Sequence, residues 1–216
     1  MVLLAKEQVE VKLTPQEIVE KTTIADVYRA VKNLDGVIYK TKLIYSDYFS
    51  NLSHNDIYIK PENLQKTGSF KLRGAYNCIS QLSEEQKAHG VIAASAGNHA
   101  QGVAYAAQQL GVNAVIVMPA TTPLLKVAAT RAYGAEVVLS GDSFDDAAAK
   151  AVELQQEFNY TFIHPFNDIE VILGQGTTAL EIIDDLKDVD AILVPIGGGG
   201  FASGVALATK MVNPHV

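Results

Sequence analysis

Three times between residues 90 and 166 a short apolar run gives way to a longer amphipathic one, and that alternation leaves few architectures open. The runs "GVIAAS" (90–95), "NAVIVMP" (113–119), "AEVVLSG" (135–141) and "YTFIHPF" (160–166) have the length and composition of buried strands. Between them lie "NHAQGVAYAAQQLG" (98–111), "PLLKVAATRAYG" (123–134) and "SFDDAAAKAVELQQEFN" (143–159), which read as helices. Their punctuation agrees: Pro123 stands early in its helix, Gly111 and Gly134 stand at helix ends, and Ser143 caps a first turn rich in acids. Strands separated by helical crossovers predict βαβ units and a parallel sheet.

The flanks repeat the theme less regularly. "TIADVYRAVKNL" (23–34) and "GQGTTALEIIDDL" (174–186) are helical, "DIYIKPENLQ" (56–65) begins as a strand, and "DAILVPI" (190–196) reads as a buried strand. The last opens through "GGGGFASGVALATKMV" (197–212) into another helix. No linker interrupts the chain. The expected division is an N-terminal piece (1–80) and a C-terminal piece (161–216) of one α/β domain, with a smaller α/β domain (81–160) between them.

Composition narrows the function classes. Hydrophobic residues are 48% and charged residues 19% of 216, without low-complexity runs, which places the chain among globular proteins. A net charge of −7 without a clustered basic face argues for a small-molecule ligand rather than nucleic acid. The single cysteine, Cys78, fits a reducing compartment and reads as a small buried side chain. The histidines show no metal-ligand spacing. The apolar run after Met1 is too short for a signal peptide and no stretch approaches the ~20 residues of a membrane span, so a cytoplasmic protein is expected.

Three segments carry chemistry. In "PIGGGGFASG", four consecutive glycines between a strand and a helix align backbone N–H groups at the positive end of a helix dipole, as an anion cradle does. A bare tight turn is the alternative, but four glycines are entropically costly unless backbone must approach something closely. Gly197, Gly199 and Ala202 match the dinucleotide pattern G-x-G-x-x-A, yet so do Gly174, Gly176 and Ala179, so a single phosphate is the more economical reading.

"SAGNHAQG" (95–102) follows a strand and opens a helix, which is where open parallel sheets bind ligands. Ser95, Gly97, Asn98 and His99 offer donors there for a carboxylate; an ordinary capped turn accounts for Ser95 or Asn98 alone. In "TGSFKLRGA" (67–75), Lys71 lies beside the apolar stripe Leu72, Ala75, Tyr76, Ile79, Leu82 within the first turn of a helix capped by Ser69. Alone it is a partly exposed lysine or an amine that loses its proton easily. An amine nucleophile, one phosphate seat and one carboxylate seat together are what pyridoxal 5'-phosphate chemistry requires.

Taken in order, "QKTGSFKLRGAYN", "SAGNHAQGVA", "VILGQGTTALEI" and "VPIGGGG" resemble the threonine dehydratases, fold-type II pyridoxal-phosphate enzymes akin to serine dehydratase and serine racemase, over residues 20 to 212. The resemblance implies two three-layer α/β/α domains with parallel-rich sheets, and a homo-oligomer acting on a small amino acid. It implies Lys71 as the lysine that bonds the cofactor, Phe70 beside the cofactor ring, and Asn98 on its 3'-oxygen. Gly197, Gly198, Gly199, Gly200 and Phe201 would hold its phosphate, while Ser95, Ala96, Gly97, Asn98 and His99 would ring the substrate carboxylate. The implied reaction is elimination from L-threonine to 2-oxobutanoate and ammonia, and from L-serine to pyruvate. A serine dehydratase is the alternative enzyme, and a non-catalytic nucleotide-binding module the alternative of another class. Ala96 stands where the racemases carry a serine as second base, which favours elimination. The family's catalytic region runs on past Val216, so an incomplete large domain is expected, without the residue that contacts the pyridine nitrogen.

Overall fold

The computed structural model describes residues 14–216, so the N-terminal apolar run considered above lies outside the described residues. Two short helices come first, α1 (Pro15–Lys21) and α2 (Ile24–Asn33), each opened by a capping box, Thr14 with Glu17 and Thr23 with Asp26. A two-stranded antiparallel ribbon follows, β1 (Ile44–Tyr45) and β2 (Tyr58–Ile59), with α3 (Asp47–Ser53) between its strands. A strap containing a 3-10 turn (Glu62–Leu64) leads into α4 (Lys71–Ser80) and α5 (Glu84–His89).

The expected alternation then appears as β3 (Val91–Ala94), α6 (Asn98–Leu110), β4 (Ala114–Met118), α7 (Leu124–Ala132), β5 (Glu136–Leu139), α8 (Phe144–Phe158) and β6 (Thr161–Phe162). Its four strands pair in parallel in the order β5-β4-β3-β6. Alternate residues sort onto two faces. Val91, Ala93, Ile116 and Met118 pack with α4 and α6, whereas Ile92, Ala94, Val115 and Val117 pack with Ala147 and Ala151 of α8. Both faces are covered, which is why the strands read as continuous apolar runs rather than as alternating ones. The fourth strand is much shorter than "YTFIHPF" suggests, because the chain leaves the sheet after Phe162.

Two long helices finish the chain, α9 (Ile169–Asp185), capped by Asp168, and α10 (Gly200–Val212). They cross with backbones in close approach: a Cβ on Gly204 would stand 2.2 Å from the carbonyl oxygen of Ile172. Helix α4 lies between α6 and α9, with backbone approached from both sides and more tightly from α9. A Cβ on Gly102 of α6 would stand 3.1 Å from the Lys71 carbonyl carbon, and one on Gly174 of α9 would stand 2.5 Å from the Arg73 carbonyl oxygen.

The strand expected at 190–196 is not formed. The segment is extended, and Ile192 and Val194 pack against the α2, α9 and α10 core, but no described strand pairs with it. Leu193 and Ile196 are 89% and 76% exposed. An apolar run with alternate side chains on a core has the local character of a strand; pairing needs a neighbour, and the described residues supply none.

Candidate active site

The parallel pairing of β3 with β6 matches Val91 to Thr161 and Ile92 to Phe162, so both strands end at the same edge of the sheet. Two loops 68 residues apart in sequence, Ser95–Gly97 and the segment 163–168, therefore emerge side by side. The second loop is the hub of the site. The Ile163 carbonyl takes a hydrogen bond from Nε2 of His99 at 2.8 Å, and the Pro165 carbonyl takes one from Nζ of Lys71 at 2.5 Å. The Phe166 ring lies on the glycine loop, 2.2 Å from where a Cβ on Gly198 would be, and its carbonyl oxygen lies 2.5 Å from that of Gly200. One six-residue stretch thus touches all three segments singled out in the sequence.

Lys71 is the first residue of α4, and Phe70 holds the cap position that the sequence assigns to Ser69. Ser69 Oγ accepts from the Lys71 N–H at a long 3.4 Å. The amine is partly buried, 5.5 Å from the Phe70 ring centroid, and burial lowers its pKa below the ordinary lysine value. Desolvation disfavours the ammonium, so this amine gives up its proton more readily than an exposed one. Phe70 in turn stacks on Phe201 at 4.0 Å between centroids, which ties the lysine segment to the start of α10.

In the loop 95–99, Ser95 Oγ accepts from the Gly97 N–H at 3.2 Å, Ala96 and Gly97 are half-buried, and Asn98 is exposed at the head of α6. The His99 ring is buried, 4% exposed, with Nε2 committed to Ile163, which leaves the backbone of this residue for a carboxylate. Since a carbonyl only accepts, Nε2 carries the proton. Burial, together with the charges of Lys71 and His164, pushes the His99 pKa down to about 3, so the ring is neutral. His164 is also held below the usual histidine range, chiefly by burial. Its Nδ1 accepts from the N–H groups of Phe166 and Asn167, at 3.2 and 2.7 Å, which shapes the hub loop.

The glycine loop fits a phosphate. Gly199 has a φ of +91°, which a side chain tolerates poorly, and the positions of Gly198 and Gly200 leave no space for a Cβ. The first N–H groups of the thirteen-residue α10 have no partners inside the helix. A cavity of about 740 Å³ lies elsewhere, lined by Tyr28, Leu34, Lys60, Leu180, Glu181 and Val212 among others; Lys71, residues 95–99 and the glycine loop do not line it.

Sequence reasoning missed the hub. "YTFIHPF" was legible as a strand, while the sharper signal was the pair Pro165 and Asp168, a break followed by a helix cap. Among the described residues no group of side chains could hold a metal ion, and no helix is long and apolar enough to cross a membrane.

The chain is similar to several known proteins. Over 194 residues the chain is 54% identical to an L-threonine ammonia-lyase of Thermotoga maritima, covering 90% of this chain and 48% of that protein. The processed form of threonine deaminase isoform 2 from Solanum lycopersicum superposes with a TM-score of 0.84 at 44% identity, covering 89% of this chain and 54% of that one. Maize serine racemase superposes with a TM-score of 0.87 at 37% identity, covering 90% and 59%. The chain spans about half the length of the curated relatives it matches. The family profile of pyridoxal-phosphate dependent enzymes matches residues 34–216, and the chain belongs to that family.

Proposed function

We propose that this chain forms the lysine-bearing part of an enzyme that deaminates L-threonine to 2-oxobutanoate and L-serine to pyruvate, the water lost by β-elimination being taken up again when hydrolysis releases ammonia. The observation that carries the reading is the convergence of Lys71, the Ser95–His99 loop and the glycine loop on the single stretch 163–168. The relatives named for threonine elimination support the substrate class.

Pyridoxal 5'-phosphate bound here supplies an electron sink for the charge that develops at the substrate Cα. Lys71 would hold it through the amine and, as a free amine, would take the proton from the substrate Cα. Burial suits Lys71 to that role, because a base must be unprotonated near neutral pH to act. Gly197, Gly198, Gly199 and Gly200 with the Phe201 N–H would hold the phosphate, and Phe70 would pack by the ring. Asn98 would meet the 3'-oxygen, and Ser95, Ala96, Gly97, Asn98 and His99 would receive the substrate carboxylate, His99 through its backbone since its ring faces Ile163. Residues 81–160 would move as the small domain, closing over substrate against the pieces 1–80 and 161–216. A cytoplasmic homo-oligomer suits the buried Cys78 and the exposed Tyr48, Leu52 and Leu193.

Borohydride reduction of the cofactor-loaded protein tests the assignment. A phosphopyridoxyl group on the Lys71 peptide and release of 2-oxobutanoate from threonine are expected. Recovery of the label on Lys60 or Lys66 overturns the role of Lys71, and a higher kcat/KM for serine than for threonine reassigns the substrate.

A further inference from the structure

The largest fully buried side chain among the described residues is a charged one. Arg73 is 0% exposed. Its guanidinium makes five hydrogen bonds: Nε and Nη2 donate to Glu62 at 2.8 Å each, Nη1 and Nη2 donate to Glu181 at 2.7 and 2.9 Å, and Nη1 donates to Thr177 Oγ1 at 3.1 Å. The shell continues outward. Thr41 Oγ1 donates to Glu62 at 2.7 Å, and Lys60 Nζ donates to Glu181 at 2.6 Å and to the Thr41 carbonyl. Two cations face two anions, and every charge is paired. The cluster joins four stretches of the sequence: Thr41, the strap 60–62, α4 and α9.

Desolvating such ions is costly, and an apolar set of the same volume often gives equal stability. What apolar contacts lack is direction; a planar fork bonded twice to each of two carboxylates fixes an orientation. Residues two apart on a helix project about 200° from one another. Lys71 and Arg73 therefore leave opposite sides of α4, the amine toward the hub loop and the guanidinium toward the strap and α9. The acceptor of the amine, the Pro165 carbonyl, lies just ahead of α9, whose cap is Asp168. The guanidinium ties α4 to the strap and to α9, and the amine ties α4 to the loop that leads into α9.

We propose that Arg73 is a positioning residue for Lys71: by gripping Glu62 and Glu181 it sets the rotation of α4 about its axis, and that rotation delivers the amine to the Pro165 carbonyl and the site. This deepens the functional reading above and rests on Lys71 being the reactive lysine. The sequence offers no hint of it beyond the proximity of the two residues, since Glu181 lies 108 residues away.

The test reads the amine directly, in cofactor-free protein. Acetic anhydride labelling across pH, quantified by mass spectrometry and normalised to the exposed Lys187, gives the midpoint at which Lys71 becomes reactive. In the wild type it falls below that of an ordinary lysine. Arg73→Lys keeps the charge but presents a point donor in place of a fork, so α4 turns, Lys71 becomes better hydrated, and its midpoint rises by about one pH unit, tenfold less free amine at a given pH. The imidazoles that face Lys71, His99 from α6 and His164 from the hub loop, are uncharged above neutral pH and do not produce that rise. Val27→Ala, in the core under α2, controls for general loosening: it lowers Tm and leaves the midpoint in place. An unmoved midpoint in folded Arg73→Lys overturns the proposal. If that variant does not fold, Glu62→Gln reads the same midpoint, with the same outcome decisive. Failure of borohydride to fix the cofactor on wild-type Lys71 overturns the functional reading instead, and the labelling midpoints still decide the role of Arg73 in aiming the amine.

Discussion

Lys71 and Pro165 are 94 residues apart in the chain and joined by a hydrogen bond of 2.5 Å from the lysine Nζ to the proline carbonyl. The lysine opens α4 and the proline precedes α9, so the bond closes one end of a helix pair that also meets backbone against backbone at Gly174 and through the side-chain bonds of Arg73 to Thr177 and Glu181. Any change that parts α4 from α9 or α6 moves the amine.

Gly174→Ala tests the α9 side. Its Cβ would stand 2.5 Å from the Arg73 carbonyl oxygen and 2.7 Å from Gly74 Cα, both backbone atoms with no room to yield. Overpacking of this kind costs about 1–3 kcal/mol, so a marked fall in the urea midpoint is expected. Gly102→Ala, where the nearest atoms lie at 3.1 Å or more, is expected to cost less. Equal stabilities for the two variants would contradict the α4 packing described above.

Acid destabilisation should begin above the carboxylate range. His99 has its pKa pushed down to about 3 in the fold by burial, against 6.5 for the unperturbed side chain. Below pH 6.5 the unfolded chain therefore binds a proton that the folded chain refuses, and stability declines as pH falls toward 3. The slope approaches about 1.4 kcal/mol per pH unit for one such group. His164 acts in the same direction. Glu62, lowered because the Arg73 bonds and charge outweigh its burial, adds a loss only below its ordinary value of 4.5. Between pH 6.5 and 4.5 the histidines dominate, and His99→Gln should flatten the denaturation midpoint across that window.

Ala96→Ser addresses the reaction's outcome. Inverting the substrate Cα requires a proton donor on the face away from Lys71, and a methyl group cannot donate one. In the loaded enzyme serine racemisation should be slow beside deamination and rise severalfold in the variant, as followed by chiral chromatography. Racemisation as fast as deamination in the unchanged protein would mean that another residue donates.

Residues 1–216 expressed alone should self-associate through 190–196. That segment offers unpaired backbone and exposed Leu193 and Ile196, the features that recruit a second strand. Leu193→Glu should shift the size-exclusion profile toward monomer. An unchanged profile would place the contact elsewhere, with the exposed Tyr45 and Tyr58 of the ribbon and Tyr48 of α3 forming the next candidate surface.

Much of this protein was legible residue by residue. The runs 90–166 specify the parallel sheet because strand and helix periods are local properties, and Ser143 and Gly111 mark helix ends because capping is satisfied within a few residues. Lys71, residues 95–99 and the glycines 197–200 could be named from their neighbours alone, and the family match is consistent with that resemblance. Tertiary structure decided the rest. The expected strand at 190–196 is unpaired because hydrogen bonding to a neighbour is not a property of the segment itself. The turning of the His99 ring to Ile163, the hub at 163–168 and the grip of Arg73 on Glu62 and Glu181 arise from contacts across 64, 94 and 108 residues. Such contacts exist only once β6 has paired with β3 and α4 has seated between α6 and α9, because no local pattern records which distant carbonyl or carboxylate a buried donor will meet.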